Sequence, residues 1–247
     1  MAKPHLISLS YSPWSERARW ALDHHGVRYR RSEHLPMVGE PLLRLRARKL
    51  TGRVTVPLLL HDGAVVTDSY DIARYADKLG GGETLFPMGH VAAIEEWNRR
   101  GDETLALARS IITFKTGASA QAKQEALPPF VPAPLRPFAE PVAAMGVAFF
   151  VRKYRLDASA VERAAEGIER TLRSLREALS GKTTLLGTFT FADIAMATVL
   201  QAVSPVDDKF IRLGPGTRAC WTMPDLADRY RDLVEWRDGL YAERRRS

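Results

Sequence analysis

Two periods of apolar and polar residues divide this chain. Up to about residue 80, short apolar runs of strand length alternate with helical stripes; from about residue 90 only helical spacing remains. Leu6 to Ser10 alternates after Pro4 and predicts a first strand. Ser12-Pro13 breaks it and opens a helix, with proline near its first turn. Ala18, Trp20, Ala21 and Leu22 are the inward candidates, and Gly26 is the stop. Val27 to Arg31 carries the charged alternation of an outer strand. Glu40 to Leu50 sets Leu42, Leu43, Leu45 and Leu50 among basic residues, as a helix or a partly irregular turn.

The most informative stretch runs from Val54 to Ala76. Leu58, Leu59 and Leu60 form a short apolar run, followed by Asp62-Gly63, a strong hairpin signal, and a second short strand. Pro57 has no N–H, so it belongs at the strand's start or on an unpaired edge. Val56, just ahead of it, then has a backbone that a ligand could pair with. Asp68 or Ser69 caps the next helix, whose stripe includes Ile72, Tyr75, Ala76 and Leu79. A carboxylate and a hydroxyl beside free helix N–H groups suit a zwitterionic ligand: the N–H groups take a carboxylate, the Asp an ammonium. The predicted order over the first 80 residues is β-α-β-α-β-β-α, a helix-covered sheet whose last hairpin is antiparallel.

Gly80-Gly81-Gly82 and Phe86-Pro87 mark a domain boundary at about 80 to 90. Beyond it, Val91 to Ile112 predicts a long helix, and Val142 to Tyr154 an apolar helix. Ala158 to Leu179 predicts an amphipathic helix with Val161, Ala164, Ile168, Leu172, Leu175 and Leu179 on one stripe. Between them, residues 127 to 141 hold Pro128, Pro129, Pro132, Pro134, Pro137 and Pro141, which no regular helix tolerates. Phe191 to Val203 is apolar nearly all round and predicts a buried central helix. Thr190 with Asp193 three residues on reads as its capping box, and loss of Asp193 should cost about 1–2 kcal/mol. A last helix starts at Met223-Pro224, with Leu226, Tyr230, Leu233 and Trp236 at helical spacing.

Composition narrows the class. The 247 residues are 45% hydrophobic, enough to bury a core. No apolar run approaches the ~20 residues that span a bilayer, and the N-terminus lacks a long apolar region. Cys220 is the only cysteine, which excludes an internal disulfide and a CxxC pair. These features point to a soluble cytoplasmic protein without a membrane partner. The net charge of +7 is spread along the chain, apart from Arg28, Arg30 and Arg31, the run Arg44 to Arg53, and the Arg244-Arg245-Arg246 tail. Excess charge alone does not indicate nucleic-acid binding. No zinc-ligand spacing and no phosphate-cradling loop is present, so no metal is expected; the three glycines follow a helix rather than a strand.

The stretch VPLLL-HDG-AVV-TDS-YDIARYAD resembles the second half of the thioredoxin-like domain of cytosolic glutathione transferases. The resemblance extends to Tyr11 through Arg19 and to Thr188 through Ala197. It implies an α/β thioredoxin-like N-terminal domain over residues 1–82 and an all-α C-terminal domain over 88–247, with the proline-rich stretch near 127–141 as an insertion. It implies glutathione as co-substrate, a small hydrophobic electrophile as second substrate, and a homodimer. In the family the proline matching Pro57 is cis, the residue matching Val56 pairs its backbone with the cysteine of glutathione, and an acidic-Ser pair, here Asp68-Ser69, holds the γ-glutamyl end. The Thr190–Asp193 box is structural in this family. Two departures stand out. Thr55 occupies the place where many members carry Lys or Gln for the glycyl carboxylate, leaving Arg53 as the nearest cation. Asp stands at 68 in place of the commoner Glu.

The resemblance places the thiol-activating residue between the first strand and the first helix. A free cysteine thiol has a pKa near ~8.5. Lowering it by ~2 units needs about 2.7 kcal/mol, and one hydroxyl hydrogen bond to a charged sulfur supplies about 1.5–3 kcal/mol. Three hydroxyls compete: Ser12, in the Ser-Pro of serine-type members, is the first candidate, and Tyr11 and Ser15 are the alternatives. Ser rather than Cys at 12 argues against mixed-disulfide thiol transfer. Arg17 supports the site or pairs with an acid. Trp14, Phe114, Phe149 and Phe150 are candidates for an apolar second-substrate wall. A binding or regulatory protein that keeps this fold without transferase activity is the other reading, favoured by the missing Lys before Val56.

Overall fold

The computed structural model describes residues 2–127, 134, 140–156 and 160–245. A four-stranded sheet in the order β2-β1-β3-β4 forms the first part. Its strands are β1 (His5–Ser8), β2 (Arg30–Glu33), β3 (Leu58–His61) and β4 (Ala64–Thr67). β1 pairs in parallel with β2 and antiparallel with β3, and β3 pairs antiparallel with β4. Helices α1 (Pro13–His24), α2 (Glu40–Arg46) and α3 (Ser69–Leu79) complete it, in the predicted order. Leu6 and Leu59 face the main core with α1 and α3; Ile7, Leu43, Val54 and Leu58 form a smaller cluster of their own. The period-2 alternation of the strands separates the two sets.

Boundaries moved where tertiary pairing overrode the local pattern. The second strand lies at Arg30–Glu33 instead of Val27 to Arg31, because the parallel register opposes Arg30 to His5. Val27 and Tyr29 pack on the core ahead of it. The strand is an exposed edge, as its charges indicated. α2 stops at Arg46, short of Leu50, where Arg48 turns to a φ of 51°. The hairpin at Asp62-Gly63 has φ of 45° and 81°, the double positive φ of a type I′ turn.

The second part holds helices and connecting loops, with no strand among its described residues. A 3₁₀ turn at Met88–His90 leads into α4 (Val91–Ala118), followed by α5 (Ala120–Glu125), α6 (Glu140–Tyr154), α7 (Ala160–Leu179) and α8 (Phe191–Val199). After them come α9 (Pro215–Trp221), α10 (Pro224–Arg229) and α11 (Arg231–Arg244). Every residue of α8 is buried, and the helix tightens into a 3₁₀ turn at Leu200–Ala202 rather than continuing to Val203. The expected single last helix is broken at Tyr230, whose φ and ψ are −116° and 37°. Leu226, Tyr230 and Leu233 are all buried on one core, so apolar spacing hides the break. The proline-rich segment falls largely at residues 128–133 and 135–139, outside the described residues.

α5 and α9 carried no legible signal, being too short for a period to register. One carboxylate joins them. Glu125 accepts from the Gly216 and Thr217 N–H groups at 2.9 and 2.7 Å and from the Thr217 hydroxyl at 2.7 Å. It thereby satisfies orphan donors at the α9 N-terminus.

Candidate active site

Sheet register brings three separate segments to one edge. Ile7 opposes Leu58, and Leu58 opposes Thr67. The C-terminal end of β1, the N-terminal end of β3 and the C-terminal end of β4 therefore lie side by side. The residues just outside them are Tyr11 to Ser15, Val56-Pro57 and Asp68-Ser69.

Ser12 is the N-cap of α1, with extended backbone. Its Oγ accepts from the Ser15 N–H at 3.5 Å, at the outer limit of a hydrogen bond. Ser12 is 8% exposed. Accepting that bond leaves its own O–H free to donate to a ligand. Ser15 is fully buried, and its Oγ accepts from the Leu9 N–H at 3.1 Å, which ties the strand end to the helix. Its O–H remains a donor as well, but at 0% exposure, against 8% for Ser12, it is the less accessible of the two. Tyr11 is half-buried, with its ring edge-on to Trp221 at 6.3 Å. Burial, with Glu33 and Tyr154 adding to it, raises the Tyr11 pKa. The phenol thus stays protonated and can offer its O–H as a donor rather than serve as a base.

The Val56–Pro57 peptide bond is cis. The backbone N–H and C=O of Val56 bond to no described residue, so this edge is available, as the proline implied. Asp68 caps α3 by accepting from the Tyr70 N–H at 2.8 Å. It does so at φ 76°, ψ 142°, a conformation natural to glycine that costs about 1–3 kcal/mol for other residues. Desolvation, then the Asp102 and Asp71 carboxylates, push the Asp68 pKa up against the opposing Tyr70 N–H and Arg17. Ser69 is 1% exposed, yet its Oγ has no partner. A buried hydroxyl left unpaired beside a helix N-terminus fits a ligand that carries its own carboxylate and ammonium.

Arg17 organises the floor. It is wholly buried and donates to Asp102 at 2.6 Å, to Thr198 Oγ1 at 2.9 Å, to Asn98 at 3.1 Å and to the Ala195 carbonyl at 3.2 Å. Trp14 Nε1 donates to the same Asp102 oxygen at 2.9 Å. Gly101 permits this approach: a Cβ there would stand 2.7 Å from the Arg17 guanidinium.

Other predicted residues are placed differently. Arg53 is exposed, with its guanidinium 5.5 Å from the Tyr154 ring centre. Phe114 is half-buried and meets no described ring. Phe149 and Phe150 contact each other at 5.8 Å, and Phe150 stacks on Tyr154. Sequence reasoning missed Arg109 and Tyr154. The Arg109 guanidinium lies 4.3 Å from the Trp14 ring centre and 3.9 Å from that of Tyr154. Lys153 holds the end of α6 over the first domain by donating to Glu40 at 2.6 Å. Among the described residues, no cluster of His, Cys, Asp and Glu is arranged to hold a metal, and no helix is long and apolar enough to cross a membrane.

The profile for "Glutathione S-transferase, N-terminal domain" matches residues 11–79, and that for "Glutathione S-transferase, C-terminal domain" matches 158–239. The chain belongs to the glutathione S-transferase superfamily. It is 34% identical over 87 residues to a probable glutathione S-transferase from Solanum tuberosum, a stretch covering 35% of this chain and 39% of that protein. Among solved structures, it resembles the beta-etherase LigF of Sphingobium sp., with a TM-score of 0.65 at 17% identity, over 98% of this chain and 96% of that one. It also resembles a glutathione S-transferase from Methylobacillus flagellatus with GSH bound, with a TM-score of 0.60 at 17% identity, over 98% and 95%. Thus the superfamily fold is a thioredoxin-like sheet domain followed by helices. Together the two profiles cover the elements that build the cleft apart from β1, α4 and α6.

Proposed function

We propose that the chain is a glutathione transferase that joins the glutathione thiolate to a small electrophile. One observation carries this: sheet register sets the free Val56 backbone, the Asp68-Ser69 cap and the Ser12 hydroxyl at one edge. The tripeptide lies along Val56, pairing its cysteine backbone there. Its γ-glutamyl carboxylate takes the orphan Ser69 hydroxyl and the α3 N-terminus, and its ammonium faces Asp68. The sulfur then points to the start of α1, where the Ser12 O–H donates to it. A charged acceptor and the positive end of the helix both favour thiolate. The thiolate attacks, and the leaving group departs with its electron pair. The GSH-bound relative supports glutathione as the ligand. A beta-etherase on the same fold shows that the fold does not fix the leaving group. The homodimer rests on the family alone, and sedimentation would test it.

The alternative is a glutathione-transferase-like binding protein. It is favoured by Thr55, exposed where a cation is commoner. Calorimetry with glutathione and a thiol-consumption assay separate the two. Binding with thiol loss supports the transferase. Binding without thiol loss for any electrophile supports the alternative, and no binding removes both.

A further inference from the structure

The second-substrate side of the cleft is aromatic but not apolar. Arg109 sits between Trp14 and Tyr154 with its guanidinium close to both rings. Among the described residues nothing accepts a hydrogen bond from it and no carboxylate pairs with it. A guanidinium carries five donors in one plane, and leaving them unmet in a half-buried place is unfavourable. Asp102, two turns earlier on the same helix, is already taken by Arg17, Trp14 and Asn98. Burial pushes the Arg109 pKa down; Tyr154 opposes this, Arg53 reinforces it and Asp102 opposes it. Arg53, Arg109 and Lys153 all lie against the Tyr154 ring, and among the described residues Lys153 is the one of the three paired with a carboxylate, that of Glu40.

The position matters as much as the charge. Trp14 is two residues past Ser12, and Tyr154 is close enough to Tyr11 to raise its pKa. Arg109 thus stands against two rings that neighbour the Tyr11-Ser12 segment, where the sulfur is expected. Its guanidinium carbon lies close to two rings, and its N–H groups meet no acceptor among the described residues.

We propose that Arg109 is a specificity-determining residue for the second substrate, an electrophilic arene bearing a carboxylate or sulfonate. The arene lies against the Trp14 and Tyr154 rings, and the anion takes the Arg109 edge in a bidentate pair. The inference rests on the glutathione transferase reading. With a chloroarene, the glutathione sulfur bonds to the ring carbon, the C–Cl bond breaks, chloride leaves with the electron pair, and the thiol proton passes to solvent.

The test pairs 4-chloro-3,5-dinitrobenzoate with its methyl ester at saturating glutathione. The wild-type protein should show a KM about tenfold lower for the acid, the size of one charge-assisted contact. In Arg109→Gln that ratio should fall to about one, with partial recovery in Arg109→Lys. The ratio is read within each variant, so a general loss of folded protein cancels. Calorimetry with the two glutathione conjugates, acid and ester, repeats the comparison without turnover. Equal use and equal binding of acid and ester by the wild-type protein overturns the proposal. So does a preference that survives in Arg109→Gln, or a variant that loses affinity for glutathione itself to the same degree. If glutathione binds but neither arene releases chloride, the transferase reading fails, and the conjugate pair alone decides the anion site. No binding of glutathione or of either conjugate removes both.

Discussion

Arg17 on α1 donates to Asp102 on α4 at 2.6 Å, so a fully buried cation of the sheet domain is matched by an acid of the helical domain. The two partners are unequal. Arg17 is 0% exposed, whereas the Asp102 side chain is 36% exposed and reaches water. Desolvation by burial lowers the Arg17 pKa, and Asp102 is the main force holding it up. Asp102 also takes the Trp14 indole, which makes this pair the support beneath the Trp14 ring.

The inequality gives an ordered prediction. Asp102→Ala strands a cation that no water reaches, and breaking a buried pair in that way costs about 3–5 kcal/mol. Arg17→Met keeps the packing of the stem and strands an acid that solvent can partly hydrate, so its cost is smaller, about 1–3 kcal/mol. Urea unfolding of both variants measures the order. If Asp102→Ala is the milder change, Thr198, Asn98 and the Ala195 carbonyl satisfy Arg17 without the acid.

Ser12 and Tyr11 make opposite predictions about the thiol. If the Ser12 hydroxyl stabilises the thiolate, Ser12→Ala removes a hydrogen bond to a charged group worth about 1.5–3 kcal/mol. The pKa of bound glutathione then rises by about 1–2 units, and kcat at neutral pH falls by about 10- to 100-fold. Affinity for glutathione changes little, because the lost bond favours the ionised sulfur rather than the whole ligand. Tyr11→Phe should leave the thiol pKa in place. Titration of thiolate absorbance in the complex reads this directly. A Ser12→Ala complex with an unshifted thiol pKa transfers the role to Tyr11, whose raised pKa keeps it a donor.

The structure also shows which parts of this arrangement the sequence announced. The Asp62-Gly63 turn, the Pro57 strand start and the Asp68 cap were legible because each depends on backbone chemistry that one or two residues dictate. α7 and α8 were legible because their apolar patterns run longer than two turns. The Arg109–Tyr154 contact was hidden for the opposite reason. Its partners lie on α4 and α6, and no local pattern marks which arginine of a polar helix face will meet a ring. Arg17 was legible as a residue that would pair, while its acid, 85 positions away, was not. The break at Tyr230 was masked because the helices on either side of it face one core.

Asp68 makes ligand binding depend on pH in a stated direction. Its carboxyl titrates above the ordinary Asp range, because desolvation and two neighbouring acids disfavour the charge. An ammonium on the ligand needs the ionised form. Glutathione affinity should therefore be full above that raised pKa and fall as pH drops through it, toward the lower pKa that the bound ammonium imposes. Stability runs the other way. The native state holds this proton more tightly than the unfolded chain, so the contribution is lost as pH rises between the unfolded and native values. Asp68→Asn should flatten both dependences and weaken binding at neutral pH. Ser69→Ala should weaken binding without altering its pH dependence. Calorimetry across the acid range checks all three; an affinity in Asp68→Asn that still falls with pH as in the wild type removes Asp68 from the ammonium site.

Asp193 closes a tighter knot than a capping box alone. One carboxylate oxygen accepts from the Thr190 N–H at 2.8 Å and the Thr190 hydroxyl at 3.1 Å, while the other accepts from the Leu185 N–H at 2.8 Å. All three groups are buried, so no water replaces a lost acceptor. The expected cost of removing the residue thus rises above that of an ordinary cap. Asp193→Ala leaves two buried backbone N–H groups unmet, at about 1–3 kcal/mol each, and should destabilise the fold by about 4 kcal/mol. Asp193→Asn keeps one acceptor oxygen but turns an amide donor toward a second donor, so about half that loss is expected. Burial also raises the Asp193 pKa despite its three donors, so the wild-type advantage of the charged form is smaller than the hydrogen bonds alone suggest. Denaturant unfolding of the three proteins should rank them wild type, Asn, Ala. An Ala variant within 1 kcal/mol of wild type would mean that the Leu185 loop finds another acceptor, and the carboxylate would then be a helix cap and nothing more.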